Sequence, residues 1–141
     1  MISMFADLAT RLLHYRDAKT LLWFQVVDRG DREGNYIEAS ASAMYVYAFA
    51  KGASRGYLDA RFGDAARASF EQILARLVTR DDQGHVFLQH VCKVAGLGGN
   101  PYRDGSFTYY VGEPQRTNDF KGYGPYLLSA IELERAGART R

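Results

Sequence analysis

Apolar side chains recur at helical spacing in two stretches of the chain and crowd nearly every position in two others. In residues 2–15, Ile2, Phe5, Leu8, Ala9, Leu12 and Leu13 share one stripe, while Asp7, Thr10, Arg11 and His14 fall outside it. That spacing predicts an amphipathic helix. Residues 62–79 repeat the pattern with Phe62, Ala66, Phe70, Ile73, Leu74 and Leu77, leaving Asp64, Arg67, Glu71 and Arg76 on the wet side. Arg67 and Glu71 are spaced as an i, i+4 opposite-charge pair. Residues 37–51 are different: beyond Ser40 and Ser42 there is almost no polar face, which predicts a helix buried all round, stopped at Gly52. Residues 123–136 form a second buried helix, with Pro125 in its first turn and Gly137 at its end. Between the helices, residues 21–27 read as a short strand or extended segment, Asp28–Asn35 as a charged loop, and His85–Val91 as extended. Asp104-Gly105 reads as a hairpin-like turn into Ser106–Val111.

The order repeats. Arg16-Asp17 followed by Trp23-Phe24-Gln25 corresponds, 64 positions on, to Arg80-Asp81 followed by Phe87-Leu88-Gln89. Each copy runs wet-sided helix, Arg-Asp turn, extended piece, loop, buried helix; the second carries a Gly/Tyr-rich insertion over residues 93–120. Alternating outer and inner helices predict two concentric helical layers. Two outer helices are too few to jacket the inner ones, so an isolated chain is expected to expose an apolar patch and to associate.

Composition narrows the class of protein. The chain has 141 residues, enough for one domain, with 18 basic and 16 acidic side chains and 47% apolar residues. The arginines are scattered among acids without a basic stripe, so no nucleic-acid partner is expected. No apolar run reaches the ~20 residues of a membrane helix. Met1–Asp7 lacks a basic n-region, and a cytoplasmic location is expected. The single cysteine, Cys92, excludes an internal disulfide and has no base beside it in sequence; it reads as an inert thiol. His14, His85 and His90 lack metal-ligand spacing, the last two reading as opposite faces of one strand, so no metal is expected.

Gly96-Leu97-Gly98-Gly99 lacks the following helix of a phosphate loop, and reads as a flexible turn. No G-x-S-x-G elbow is present. A long aperiodic insertion of tyrosines, glycines and a few polar groups suits carbohydrate, and such a loop inside a compact domain is usually functional. Lys121, just before the last buried helix, is placed to meet a carboxylate.

Several separated segments carry a family resemblance: Trp23–Asp28 (WFQVVD), Gly34–Met44 (GNYIEASASAM), Val94–Gly99 (VAGLGG), Pro101–Ser106 (PYRDGS) and Asn118–Pro125 (NDFKGYGP). Together they resemble the C-terminal part of glycoside hydrolase family 105, the unsaturated rhamnogalacturonyl hydrolases. The resemblance implies an all-α fold, a partial (α/α)6 barrel of about two α/α hairpins with short β-strands in the loops. Residues 1–141 would be a single domain, a C-terminal fragment of that barrel. The family removes a 4,5-unsaturated uronic acid from pectin-derived oligosaccharides, without metal or organic cofactor. An aspartic acid protonates the enol-ether double bond and helps water add.

That aspartate and the family's W-x-R-G-x-x-W motif lie N-terminal to the matching stretch. Asp17, Asp28 and Asp119 do not match by motif, so no catalytic residue carries over. The resemblance implies Lys121, Gly122 and Tyr123, with Asn118, as substrate-side residues. Glu38 and Ser42 also lie in a family motif, but a Glu near a helix N-terminus is favourable in itself, and they read as fixing the entry and packing of the first buried helix. The expected partners are an unsaturated uronyl oligosaccharide and either a second copy of the chain or a companion N-terminal fragment over the inner helices. The alternative is a non-catalytic, carbohydrate-binding or self-associating remnant.

Overall fold

The computed structural model describes residues 1–138 and carries the alternation of layers. Helix α1 (Ile2–His14) and helix α3 (Ala60–Arg76) are the outer elements; α2 (Ala39–Ser54) and α5 (Phe120–Ala138) are the inner ones. The connection from α3 to α5 holds strands β1 (Val78–Arg80), β2 (Val86–Leu88), β3 (Val91–Cys92) and β4 (Gln115–Arg116), and the short helix α4 (Phe107–Gly112). β1 pairs antiparallel with β2, and β3 with β4. Helix α2 is the hub, packing along both α3 and α5.

Helix α2 takes that position because small residues let its neighbours approach. Ala39, Ser42, Ala43, Val46 and Phe49 are buried, and Met44 is its one exposed residue. Ser129 of α5 donates its hydroxyl to the Ala43 carbonyl at 2.9 Å, tying the two inner helices. The core beside α2 is an edge-to-face ladder. Trp23 meets Phe49 at 5.8 Å between centroids, and Phe49 meets Phe62 at 5.2 Å. Such pairs add ~1 kcal/mol each beyond the area they bury. Trp23 is locked further by its indole N–H, donating to the Leu12 carbonyl at 2.6 Å.

The repeat is visible in the turns. Asp17 accepts from the Thr20 N–H at 2.7 Å in the turn after α1, and Asp81 from the His85 N–H at 2.8 Å in the turn between β1 and β2, each carboxylate closing its turn.

Several boundaries differ from the sequence expectation, for identifiable reasons. Gly52 does not stop α2. A Cβ there would lie 2.7 Å from Leu58 Cδ1 and 2.9 Å from Phe5 Cε1, so glycine serves close packing, and the left-handed turn falls at Gly56, φ +70°. Helix α5 begins before Tyr123, so Pro125 sits past its first turn, and Gly137 lies inside it. Helix α3 starts earlier and stops at Arg76, because Asp59 accepts from the Arg61 N–H and residues 78–80 join a hairpin. Arg67 and Glu71 form no ion pair.

Among the described residues, 21–27 make a single bridge, Phe24 to Ile37, and the Trp23 N–H turns to the Ser42 hydroxyl instead of a strand. His90, at φ +58°, splits the extended stretch into β2 and β3, so His85 and His90 do not share a strand. Ser106–Val111 is helical rather than extended: the Ser106 hydroxyl accepts from the Tyr109 N–H, and Asp104 from the Ser106 N–H at 2.9 Å.

The inner helix α5 is not enclosed. Leu127, Leu128 and Ile131 are 46%, 46% and 45% exposed. No helix among the described residues is long and apolar enough to cross a membrane.

Candidate functional site

The starts of α2 and α5 converge at one end of the fold, with β3 between them, and a shallow cleft of about 280 Å³ opens there. Its polar lining comes from Gln25, Glu38, Ser40, Cys92, Tyr110 and Lys121, closed by Val94 and Ala95. These side chains come from five parts of the chain.

Glu38 organises the floor. It is 2% exposed and spends both oxygens: the Ala41 N–H donates to Oε2 at 2.6 Å, the Cys92 N–H to Oε1 at 2.9 Å, and the Ser40 hydroxyl reaches both. One carboxylate thus caps α2 and fastens β3 to it, the charge being offset by donors rather than by a cation. Beside it the Gln25 amide donates to the Cys92 sulfur at 3.3 Å and to the Tyr110 carbonyl at 3.4 Å. The Tyr36 hydroxyl is buried without a hydrogen-bond partner among the described residues. Burial, then the neighbouring Cys92, Glu38 and Glu113, push its ionisation well above the ordinary tyrosine range.

The rim belongs to the start of α5. The Lys121 ammonium bonds the Asp119 carboxylate at 2.6 Å, and Arg116 stands 3.9 Å from the other Asp119 oxygen. The Lys121 ammonium, helped by the Lys121 N–H, holds the Asp119 carboxyl below the usual carboxylate range. Lys121 is exposed on the rim, and the one Asp119 carboxylate stands between two cations, Lys121 and Arg116.

The other residues implied by the resemblance sit differently. Asn118, at φ +55°, spends its side chain on the chain itself, accepting from the Leu88 N–H at 2.7 Å. Gly122 is buried where a Cβ would lie 2.7 Å from Val91 Cγ2. Tyr123 is half-buried, 5.9 Å from the Tyr126 ring. Of the four, only Lys121 lines the cleft. The Ser42 hydroxyl accepts from the Trp23 N–H at 3.2 Å, fixing the approach to α2. His85 pairs with Asp81 and His90 with Gln115, on the surface. Gln25 and Tyr110 carry no spacing signal, because they meet across 85 positions of sequence, whereas Ser40 reaches the cleft through its neighbour Glu38; Gln25 and Ser40 lie inside the motifs of the resemblance.

Residues 1–137 match the family model described as Glycosyl Hydrolase Family 88. The chain belongs to glycosyl hydrolase family 88. Among the relatives of this family 88 chain are Protein Atu3128 of Agrobacterium fabrum and a 24.9 kDa protein in the picA locus of Rhizobium radiobacter. Each is 42% identical over 123 residues, covering 83% of this chain and 53% of the relative. The chain thus spans about half the length of the curated relatives it matches.

A Clostridium acetobutylicum ATCC 824 glycoside hydrolase from family 105 superposes with a TM-score of 0.93 at 41% identity, over 95% of this chain and 37% of that one. A Salmonella enterica protein described as a possible member of the GH105 family shares the fold alone, at TM-score 0.77 and 19% identity, over 96% of this chain and 32% of that one. The all-α, two-hairpin arrangement is therefore part of the architecture seen in the family 105 structures.

Proposed function

We propose that this chain forms the C-terminal wall of a glycoside hydrolase that removes 4,5-unsaturated uronic acid from rhamnogalacturonan-type, pectin-derived oligosaccharides by hydrating the double bond. The observation that carries the reading is the polar cleft at the joint start of the inner helices, with the Lys121 cation on its rim. Asp119 carries one negative charge between the Lys121 and Arg116 cations, and a uronate carboxylate supplies the second. Tyr123 lies next to Lys121 in this reading, while Asn118 and Gly122 hold the loop in shape. No metal or organic cofactor takes part. The general acid comes from an aspartate in the N-terminal part of the family's barrel, so the residues 1–141 turn over no substrate by themselves.

The half-exposed Leu127, Leu128 and Ile131 favour association as the second element of the reading. A companion N-terminal piece covers that face in the active form; a second copy covers it otherwise, giving the non-catalytic, self-associating module. The enzyme works in the cytoplasm. The test follows the absorbance of the conjugated double bond of an unsaturated disaccharide. The chain alone is expected to leave it unchanged, and mixing with the N-terminal part of a family relative to start its loss. Turnover by the chain alone refutes the missing acid. Sedimentation showing a compact monomer at micromolar concentration refutes association.

A further inference from the structure

We infer that Arg103, caged by glycines beside the cleft, is the receptor for the carboxylate of a further acidic sugar of a bound oligosaccharide; this rests on the carbohydrate reading above. Residues 98 and 103 close a small loop, the Gly98 N–H donating to the Arg103 carbonyl at 2.8 Å and the Arg103 N–H to the Gly98 carbonyl at 3.2 Å. The Arg103 side chain folds back into this loop. Its Nε donates to the Gly98 carbonyl at 2.7 Å and one terminal nitrogen to the Leu97 carbonyl at 3.5 Å.

The guanidinium lies so close to the backbone that a Cβ at Gly96 would sit 2.5 Å from one terminal nitrogen, and one at Gly99 3.0 Å from the other. Glycine at these positions is what lets the loop wrap the cation. A guanidinium has five N–H donors, and Arg103 forms no ion pair among the described residues. Lys121 already has Asp119; Arg103 has only carbonyl oxygens. It is a fixed fork with donors unspent on any acid, the arrangement that binds a carboxylate with little ordering left to lose.

The surroundings choose a sugar acid over a bare anion. Tyr102 beside it is 77% exposed, an aromatic face for a pyranose ring. The Tyr109 hydroxyl accepts from the Gly96 N–H at 3.1 Å, anchoring the loop to α4. Val94 and Ala95, which line the cleft, run directly into Gly96, and Tyr109 directly into the cleft's Tyr110. Arg103 is not part of the cleft lining itself; its loop continues the chain from the lining residues Val94 and Ala95, so on this inference its station is one that an oligosaccharide longer than a disaccharide reaches.

The test titrates the whole chain with trigalacturonate, with its methyl ester, and with an unsaturated disaccharide, by calorimetry and by NMR of the arginine Nε–H signals. Arg103→Gln is expected to weaken trigalacturonate about tenfold and to leave the disaccharide unchanged, since a bidentate ion pair is lost at one station only. Independently of any variant, the Arg103 Nε–H signal shifts with the acid and not with the ester. Arg103→Gln binding trigalacturonate as the parent does, or the ester shifting that signal as the acid does, overturns the inference. Failure of the disaccharide to bind, or its indifference to Lys121→Ala, overturns the proposed cleft function instead, and leaves Arg103 to be judged by the trigalacturonate arm.

Discussion

Replacing Glu38 by alanine tests whether one carboxylate holds the cleft floor together. Three groups lose their acceptor. The α2 cap from the Ala41 N–H, at 2.6 Å, is worth ~1 kcal/mol. The buried Cys92 N–H is left without a partner, at about 2 kcal/mol, and the Ser40 hydroxyl loses both of its contacts, at ~1 kcal/mol. The sum is about 4 kcal/mol, a large share of the ~5–15 kcal/mol that separates a folded domain from its unfolded chain. Trp23 is the chain's only tryptophan and is fully buried, so its fluorescence reports unfolding directly. With a slope of ~2 kcal/mol per molar urea, the midpoint falls by ~2 M at unchanged slope. Glu38→Gln keeps an acceptor oxygen and is expected to lose about half as much. A Glu38→Ala midpoint within ~0.5 M of the parent refutes the assignment of these bonds to stability.

Gly122→Ala forces a methyl against Val91 and Leu88, both fully buried, and costs ~1–3 kcal/mol, read as a Tm lowered by roughly 5–10 °C; an unchanged Tm contradicts the close packing. Asp119→Asn tests the rim electrostatics. The Asp119 carboxyl is held below its ordinary value by Lys121, so its stabilisation is complete above pH ~4 and is lost as pH falls through the lower folded value. The variant is less thermostable than the parent at pH 7, and the gap closes as the pH falls through the lowered folded value; a gap independent of pH rules out Lys121 as its source.

The layers were legible in the sequence because burial of a helix leaves its trace at every turn. The all-round apolar α2 is the structure's hub, and the half-dressed α5 keeps Leu127, Leu128 and Ile131 at the surface. Helix ends were less legible, because a glycine that stops a helix and one that admits a neighbour look alike in sequence. Gly52 and Gly137 are interior, and Gly56 does the stopping after α2. The run Phe107–Val111 favours strand by residue type, yet the Ser106 cap makes it helix, a case of local hydrogen bonding outweighing propensity. At the cleft, Lys121 was visible through its motif. Tyr110 was not, and Arg103, quoted only as part of a motif, gave no sign of its cage, which depends on a loop closing back on itself.

Glu38 and Lys121, floor and rim of one cleft, stand more than half the sequence apart, and the strand between them, β3, is tied both to β4 and, through the Cys92 N–H, to Glu38. Loop closure over such separations comes late in folding and cannot be rehearsed by a partly folded hairpin. On the proposed function, ligand capture at that end requires both halves of the chain to have met, which makes it a sharper gauge of correct maturation than helix content.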